Sequence, residues 1–158
     1  MRKLVAAAGV VIAAFAFAPR AEAQAFGANL SWGDDSDFGL GARVAFPIGG
    51  SVGQKGIRGL ATFDYFFPEG YNFWEITGNG VYDIASSGSA SPYVGGGLTF
   101  ARFSPETGPG GSSEIGLNLL GGARFAPMGN VQPFVEARFQ IRDGSQFVLS
   151  GGVYFGKL

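Results

Sequence analysis

An alternation of apolar and polar side chains, with charges on the polar side, is the feature that most limits how this chain can fold. It is clearest from Val131 to Ile141. Val131, Pro133, Val135, Ala137, Phe139 and Ile141 are apolar, and Gln132, Glu136, Arg138 and Gln140 lie between them, with Phe134 the one exception. A period of two is the pattern of a β-strand with unlike faces. An acid and a base two residues apart on one face cannot enter an ordinary sandwich core without partners. The fold has to supply those partners.

Seven more segments repeat the pattern. Gln24 to Gly33 sets Phe26, Ala28, Leu30 and Trp32 on one face, and Asp37 to Ile48 sets Phe38, Leu40, Ala42, Val44 and Phe46. Ile57 to Phe67 opposes Ile57, Ala61, Phe63, Tyr65 and Phe67 to Arg58, Thr62 and Asp64. Asn72 to Ile84 opposes Trp74, Ile76, Tyr82 and Ile84 to Glu75, Thr77, Asn79 and Asp83. Pro92 to Phe103 carries Val94, Leu98 and Phe100 opposite Gly95, Gly97 and Thr99. Glu114 to Ala126 and Gln146 to Leu158 complete the set. Turns rich in Gly, Pro, Asp and Ser separate them, and Ser104 to Ser113 is the longest predicted loop. No helical period is evident after residue 23. The sequence therefore predicts one all-β domain of eight strands over residues 24–158.

Residues 1–23 are set apart as a secretory signal peptide. Arg2 and Lys3 precede the apolar run from Leu4 to Ala18, and Ala21-Glu22-Ala23 supplies the small-residue cleavage pattern. The apolar run is shorter than the roughly 20 residues that a spanning helix requires. An exported protein is expected. There is no cysteine and no histidine, which excludes a disulfide scaffold and thiolate or imidazole metal sites. The formal net charge of −1 gives no electrostatic basis for nucleic-acid binding. No cofactor is expected.

The charges decide which face is inside. Arg43, Arg58, Arg124, Arg138 and Arg142 lie on the polar faces with Asp64, Glu75, Asp83, Glu114 and Glu136, five bases against five acids. A membrane barrel turns its apolar side chains to lipid and its polar ones to the lumen, and at eight strands side chains fill that lumen. The ten charges then form a paired network, because an unpaired buried charge is costly. Predicted strands of about 10 to 12 residues suit a tilted crossing, which needs roughly 9 to 11. With the N-terminus on the periplasmic side, the outer connections carry Asp34, Asp35, Asp37, Glu69, Glu106 and Asp143 and no base, whereas Lys55 and Lys157 lie at the opposite end. Phe26, Trp32, Phe38, Phe46, Phe67, Trp74, Tyr82, Phe103, Phe125, Phe147 and Phe155 gather near strand ends, as in the two aromatic girdles of an outer-membrane barrel.

Three segments carry a resemblance. Pro-Tyr-Val-Gly-Gly-Gly-Leu at 92–98, Gly-Leu-Asn-Leu-Leu-Gly-Gly-Ala-Arg-Phe at 116–125 and Gln-Pro-Phe-Val-Glu-Ala-Arg-Phe at 132–139 resemble the outer-membrane β-barrel domain family. These are the small eight-stranded barrels of the OmpA, OmpX and opacity-protein type, and the likeness runs over essentially all of residues 24–158. It implies a closed antiparallel up-and-down transmembrane barrel in the outer membrane of a Gram-negative-type bacterium. The implied partners are outer-membrane lipid, lipopolysaccharide and the assembly machinery that reads the last strand. The family's last strand usually ends in an aromatic residue; here Gly156-Lys157-Leu158 follow Tyr154 and Phe155. No peptidoglycan-binding domain follows the barrel, so anchoring of that kind is not expected. A monomer is.

Some barrels of this architecture are enzymes acting on the acyl chains of lipid A, with histidine beside serine. Without histidine, the remaining catalytic option is a carboxylate dyad such as Glu75 with Glu136 or Asp64 with Asp83, and ion pairing with the arginines is the preferred account of those acids. The sequence thus predicts a non-enzymatic protein. Asp34-Asp35-Ser36-Asp37 offers closely spaced oxygens for a divalent cation, including one that bridges to lipopolysaccharide phosphates, although it lacks the twelve-residue calcium-loop pattern. Three functional readings follow. The first is a structural or cell-surface interaction barrel with a filled lumen. The second is a narrow pore for small or apolar solutes, for which Gly39, Gly41, Gly95, Gly97, Gly116, Gly122 and Gly152 would leave interior room. The third is a soluble lipocalin-like binder.

Overall fold

The computed structural model describes residues 24–48, 57–84, 88–105 and 110–155. The predicted signal peptide, Lys55, Glu106 and Gly156-Lys157-Leu158 lie outside them. Eight strands follow one another: β1 (Ala25–Gly33), β2 (Asp37–Pro47), β3 (Ile57–Phe66), β4 (Tyr71–Asp83), β5 (Ala90–Pro105), β6 (Ser112–Phe125), β7 (Val131–Ile141) and β8 (Gln146–Phe155). Each pairs antiparallel with the next, and β1 also pairs with β8, which closes the barrel. Closure leaves no sheet edge unpaired, the condition under which a β-structure can sit in lipid.

The period-two pattern sets the two surfaces. Leu30, Leu40, Ile76, Leu98, Leu117, Leu119, Phe139 and Leu149 are exposed on the outside. Asn29, Arg43, Thr62, Asp64, Glu75, Thr77, Asn79, Thr99, Asn118, Glu136, Arg138, Gln140 and Ser150 are buried inside. Among the described strand residues, Arg102 is the one base on the outer face. It lies near the end of β5 and donates to Ser113 Oγ at 2.9 Å.

The lumen is not polar throughout. We call the end where β1 turns into β2 the upper end, and the opposite one the lower end. Phe66, Phe73, Ala101 and Val148 form an apolar layer near the upper end, with Tyr71 and Phe103 against it. A larger layer of Ala25, Ala45, Leu60, Val81, Tyr93, Leu120, Phe134 and Tyr154 lies toward the lower end. The charged middle is therefore capped by apolar side chains above and below. Phe103 corrects one expectation. It belongs to the upper layer, with its ring 4.5 Å from that of Phe73, and not to an outer girdle. Its register places it on the same face as Ala101 and Thr99, and proximity to a strand end alone could not show that.

The connection predicted at Ser104 to Ser113 is also shorter than expected. Phe103 pairs with Ser112 and Arg102 with Ser113, so the ladder continues through residues whose side chains suggested loop. Ladder bonds need only backbone groups, so a strand can extend beyond its apolar stretch. The upper hairpins are tied together: Asp34 N donates to Phe147 O at 3.1 Å, Phe147 N to Asp34 Oδ1 at 3.0 Å, and Gln146 to Ser36 Oγ. Gly144 has φ +99°, which a side chain would strain.

The inward glycines do not leave an open channel. A Cβ at Gly39 would meet the Phe66 ring, at Gly122 the Tyr93 ring, at Gly152 the Phe134 ring, and at Gly41 the side chains of Asp64 and Asn29. Each glycine makes room for a large neighbour, and the neighbour fills it. Gly97 lies against backbone atoms of Gly78 and Asn79, while outward-facing Gly78 has nothing near its own missing Cβ. Gly97→Ala is expected to lower the stability of the refolded barrel by about 1–3 kcal/mol through overpacking. Gly78→Ala should be neutral or stabilising by a few tenths. Reversible urea unfolding of both variants in lipid vesicles checks the contrast.

Candidate functional site in the barrel interior

The ten charged side chains singled out in the sequence all line the lumen and all take part in ion pairs, arranged in four tiers. At the lower end Asp83 Oδ1 accepts from Arg58 Nη2 at 2.5 Å and from Arg124 Nη2. Above it, Arg43 meets Glu136 through two contacts, Nη1 to Oε2 at 3.3 Å and Nη2 to Oε1 at 3.4 Å. Next, Arg138 Nη2 donates to Asp64 Oδ2 at 3.3 Å and to Glu75 Oε1. At the upper end Arg142 Nε lies 3.8 Å from Glu114 Oε2.

The two middle tiers are sealed. Side chains of Arg43, Glu136, Arg138, Asp64 and Glu75 have relative exposures of 0–1%. Such burial is tolerable only if the remaining donors and acceptors are also satisfied. Asn29 Nδ2 donates to Asp64 Oδ1 at 2.7 Å, and Ser31 Oγ to the same oxygen at 3.2 Å. Gln140 Nε2 donates to Glu75 Oε2 at 2.8 Å, and Tyr93 OH to Glu136 Oε2 at 2.9 Å. The Arg43 guanidinium carbon lies 4.0 Å from the centroid of the Phe134 ring, a cation–π contact that the apparent break in the β7 alternation supplies. A second, uncharged chain runs through Thr62–Thr77 at 2.6 Å, Asn79 Nδ2 to Thr77 Oγ1 at 3.1 Å and Asn118 Nδ2 to Asn79 Oδ1 at 3.1 Å.

The dyads considered from the sequence are not the ones that form. Glu75 is paired across strands with Asp64, and Arg138 bridges the two, while Glu136 belongs to the Arg43 tier and Asp83 to the lower end. Asp64 and Glu75 do sit together, but their side chains have 0% exposure, leaving no approach for substrate and water. Counting in twos puts Phe134 and Tyr154 on the polar face, but it does not show them as partners of Arg43; Tyr93, the partner of Glu136, was assigned no face in the sequence, although strand parity places it inside.

A cavity of about 690 Å³ lies at the upper mouth, and its lining includes Asp35, Tyr71, Phe103, Glu114, Arg142 and Asp143. A second space of about 610 Å³ lies among mostly outward-facing residues of β1 to β4, including Phe26, Val44, Phe46 and Phe63, with Arg43 also in its lining. The lower end holds a void of only about 10 Å³ against Arg58, Arg124 and Tyr154. Asp34, Asp35 and Asp37 form no group of three or more ligands suited to a metal among the described residues.

Closure, eight antiparallel strands, and an apolar exterior over a charged lumen can be compared with solved structures. The N-terminal β-barrel domain of Pseudomonas aeruginosa OprF is similar over 84% of this chain and 96% of its own, with a TM-score of 0.70 at 12% identity. This chain has the fold of the small eight-stranded outer-membrane barrels. The outer membrane enzyme PagL shares that fold over 85% of this chain and all of its own, with a TM-score of 0.56 and 16% identity. The de novo designed protein TMB2.3 matches over 85% of this chain and 93% of its own, with a TM-score of 0.51 and 16% identity. No protein-family model matches the sequence, and no curated protein is similar enough to match it.

Within this eight-stranded barrel fold, Arg138 is the side chain that two carboxylates depend on. Arg138→Ala should destabilise the protein by about 3–5 kcal/mol, because it leaves Asp64 and Glu75 buried together without a countercharge. Adding Asp64→Asn and Glu75→Gln should recover a large part of that loss. Urea titration of the single and triple variants measures both, and an Arg138→Ala cost below about 1 kcal/mol would refute the pairing argument.

Proposed function

We propose that this protein is an integral outer-membrane barrel that acts as a structural or cell-surface interaction element, its lumen plugged by its own side chains. The observation that carries this reading is the inversion of polarity. Large apolar side chains such as Leu30 at 65%, Leu117 at 57% and Leu119 at 60% exposure surround the barrel, while Arg138, Glu75 and Asp64 are sealed inside it. Exposed apolar area of that extent belongs to a surface in contact with lipid. A soluble binder of lipocalin type would carry the opposite distribution, which disfavours that alternative.

Filled interior glycines and the two apolar layers support a non-conducting lumen over a pore. The burial of the Asp64–Glu75 pair supports a role without catalysis. Localisation in the outer membrane of a Gram-negative-type bacterium, export through the signal peptide and assembly as a monomer belong to the same proposal. So does contact with lipopolysaccharide. Arg102, near the upper rim and beside Trp74 in the ladder, provides an outward-facing cation for a lipid phosphate.

Leu119→Arg tests the reading by the size of its effect. Leu119 lies midway along β6, and arginine at the bilayer midplane costs about 2–4 kcal/mol, whereas an exposed site on a water-soluble protein tolerates it within about 0.5 kcal/mol. A loss of heat-modifiable migration or of membrane recovery for this variant is expected. A wild-type protein recovered in the soluble fraction would end the membrane reading. In planar bilayers the wild-type barrel is expected to insulate; discrete conductance steps would favour the pore.

A further inference from the structure

The outer wall of the barrel is not evenly covered. The space of about 610 Å³ on β1 to β4 is a groove in that wall. Its floor is made by Ala42 and Ala61, whose side chains end at Cβ, and Phe26, Phe46, Phe63 and Ile76 border it. The borders are braced. The Phe46 ring lies over Gly59, in the room that a Cβ there would take, and the Phe63 ring is 6.1 Å from that of Trp74. Gly78, the cross-strand partner of Ala61, has nothing within 4 Å of its own missing Cβ, so the floor stays open on the β4 side.

Polarity and size narrow what the groove can accept. Arg43 and Thr62 adjoin it, but their side chains are buried in the lumen, which leaves Gln24 at the lower rim as its one accessible polar side chain. From that rim the groove reaches Ile76, near the middle of the 13 residues of β4. Ten residues line it, whereas a stable protein interface takes roughly 20–30 residues a side, so it is too small for a second barrel. A narrow occupant without polar atoms fits it. Lipid tails are as apolar as the wall, so transfer from water is not what would hold one there. What a braced groove adds is van der Waals contact at the floor and both sides of a chain, where a convex wall gives contact on one side only.

We propose that this groove holds one acyl chain of a phospholipid from the leaflet at the lower end of the barrel. The headgroup lies at the rim beside Gln24. The chain lies on Ala42 and Ala61, with the rings of Phe26, Phe46 and Phe63 at its sides and its end toward Ile76. The site rests on the reading of the protein as a membrane barrel, and it places one chain at a defined position, beyond the shell of lipid that any such barrel carries.

The test uses the refolded barrel in micelles of a detergent with a rigid steroid tail, which cannot follow a narrow groove. The probe is lysophosphatidylethanolamine carrying a nitroxide on its single acyl chain, and alanine methyl signals are followed by NMR. Ala42 and Ala61 are expected to broaden saturably and well ahead of Ala123 and Ala137, which face outward on β6 and β7 across the barrel. Ala61→Phe fills the floor without touching the lumen, and it should weaken binding, read at Ala42, by about tenfold or more, the size of a typical overpacking cost. Ala137→Phe should leave binding unchanged, and glycerophosphoethanolamine, the same headgroup without a chain, should not compete. Equal broadening of all four alanines, wild-type binding by Ala61→Phe, or competition by the chainless headgroup would each overturn the proposal and leave the membrane reading standing. So would a dimer of the wild-type barrel that Ala61→Phe dissolves, which would assign the groove to a second copy. Recovery of the wild-type protein in the soluble fraction would end the membrane reading and the site with it.

Discussion

The interaction on which the rest of the barrel depends is the burial of arginine between carboxylates in a lumen without bulk water. Taking a guanidinium and two carboxylates out of water is unfavourable by several kcal/mol per ion, and the attraction between them compensates only when geometry and auxiliary hydrogen bonds are complete. Here the auxiliaries come from every side. Asn29 and Ser31 on β1 reach Asp64 on β3, Gln140 on β7 reaches Glu75 on β4, and Tyr93 on β5 reaches Glu136 on β7. Neutral residues that look incidental in the sequence are what make the charged ones tolerable.

Much of the architecture was legible because an eight-stranded barrel has a single repeating rule. β7 begins and ends where its alternation does, and all ten charged positions could be put on one face by counting in twos. What counting could not provide was register. Whether Glu75 faces Asp64 or Glu136 depends on how far each hairpin slides its strands, and on the tilt that brings β7 over β3 and β4. The Asp64–Glu75 pair, and the arginine they share, emerge only from that three-dimensional offset. Phe103 was misplaced for a related reason: nearness to a strand end is a one-dimensional property, whereas facing lipid or lumen depends on parity.

Glycine was the other ambiguous signal. In a sequence, a glycine on the inner face looks like vacant space. In the barrel the same glycine is the socket for a ring or a long side chain from the adjacent strand, as with Gly122 beneath Tyr93 and Gly152 beside Phe134. Small and large residues alternate around the wall so that a narrow cylinder can be packed to protein-like density. The upper mouth departs from this rule, since there the wall outlasts its filling.

The ion pairs also join parts of the chain that are far apart along it. Arg43 and Glu136 are separated by 93 residues, Glu75 and Arg138 by 63, and the Ser31–Ser150 hydroxyl contact across the β1–β8 seam spans 119. Hairpins formed one at a time satisfy none of these. An open sheet would have to present Arg43, Glu136, Arg138, Asp64 and Glu75 either to water or, unpaired, to hydrocarbon. For the two sealed middle tiers, neutralisation therefore comes with closure of the seam and not before it, so that inserting the barrel and completing its cylinder are thermodynamically one event.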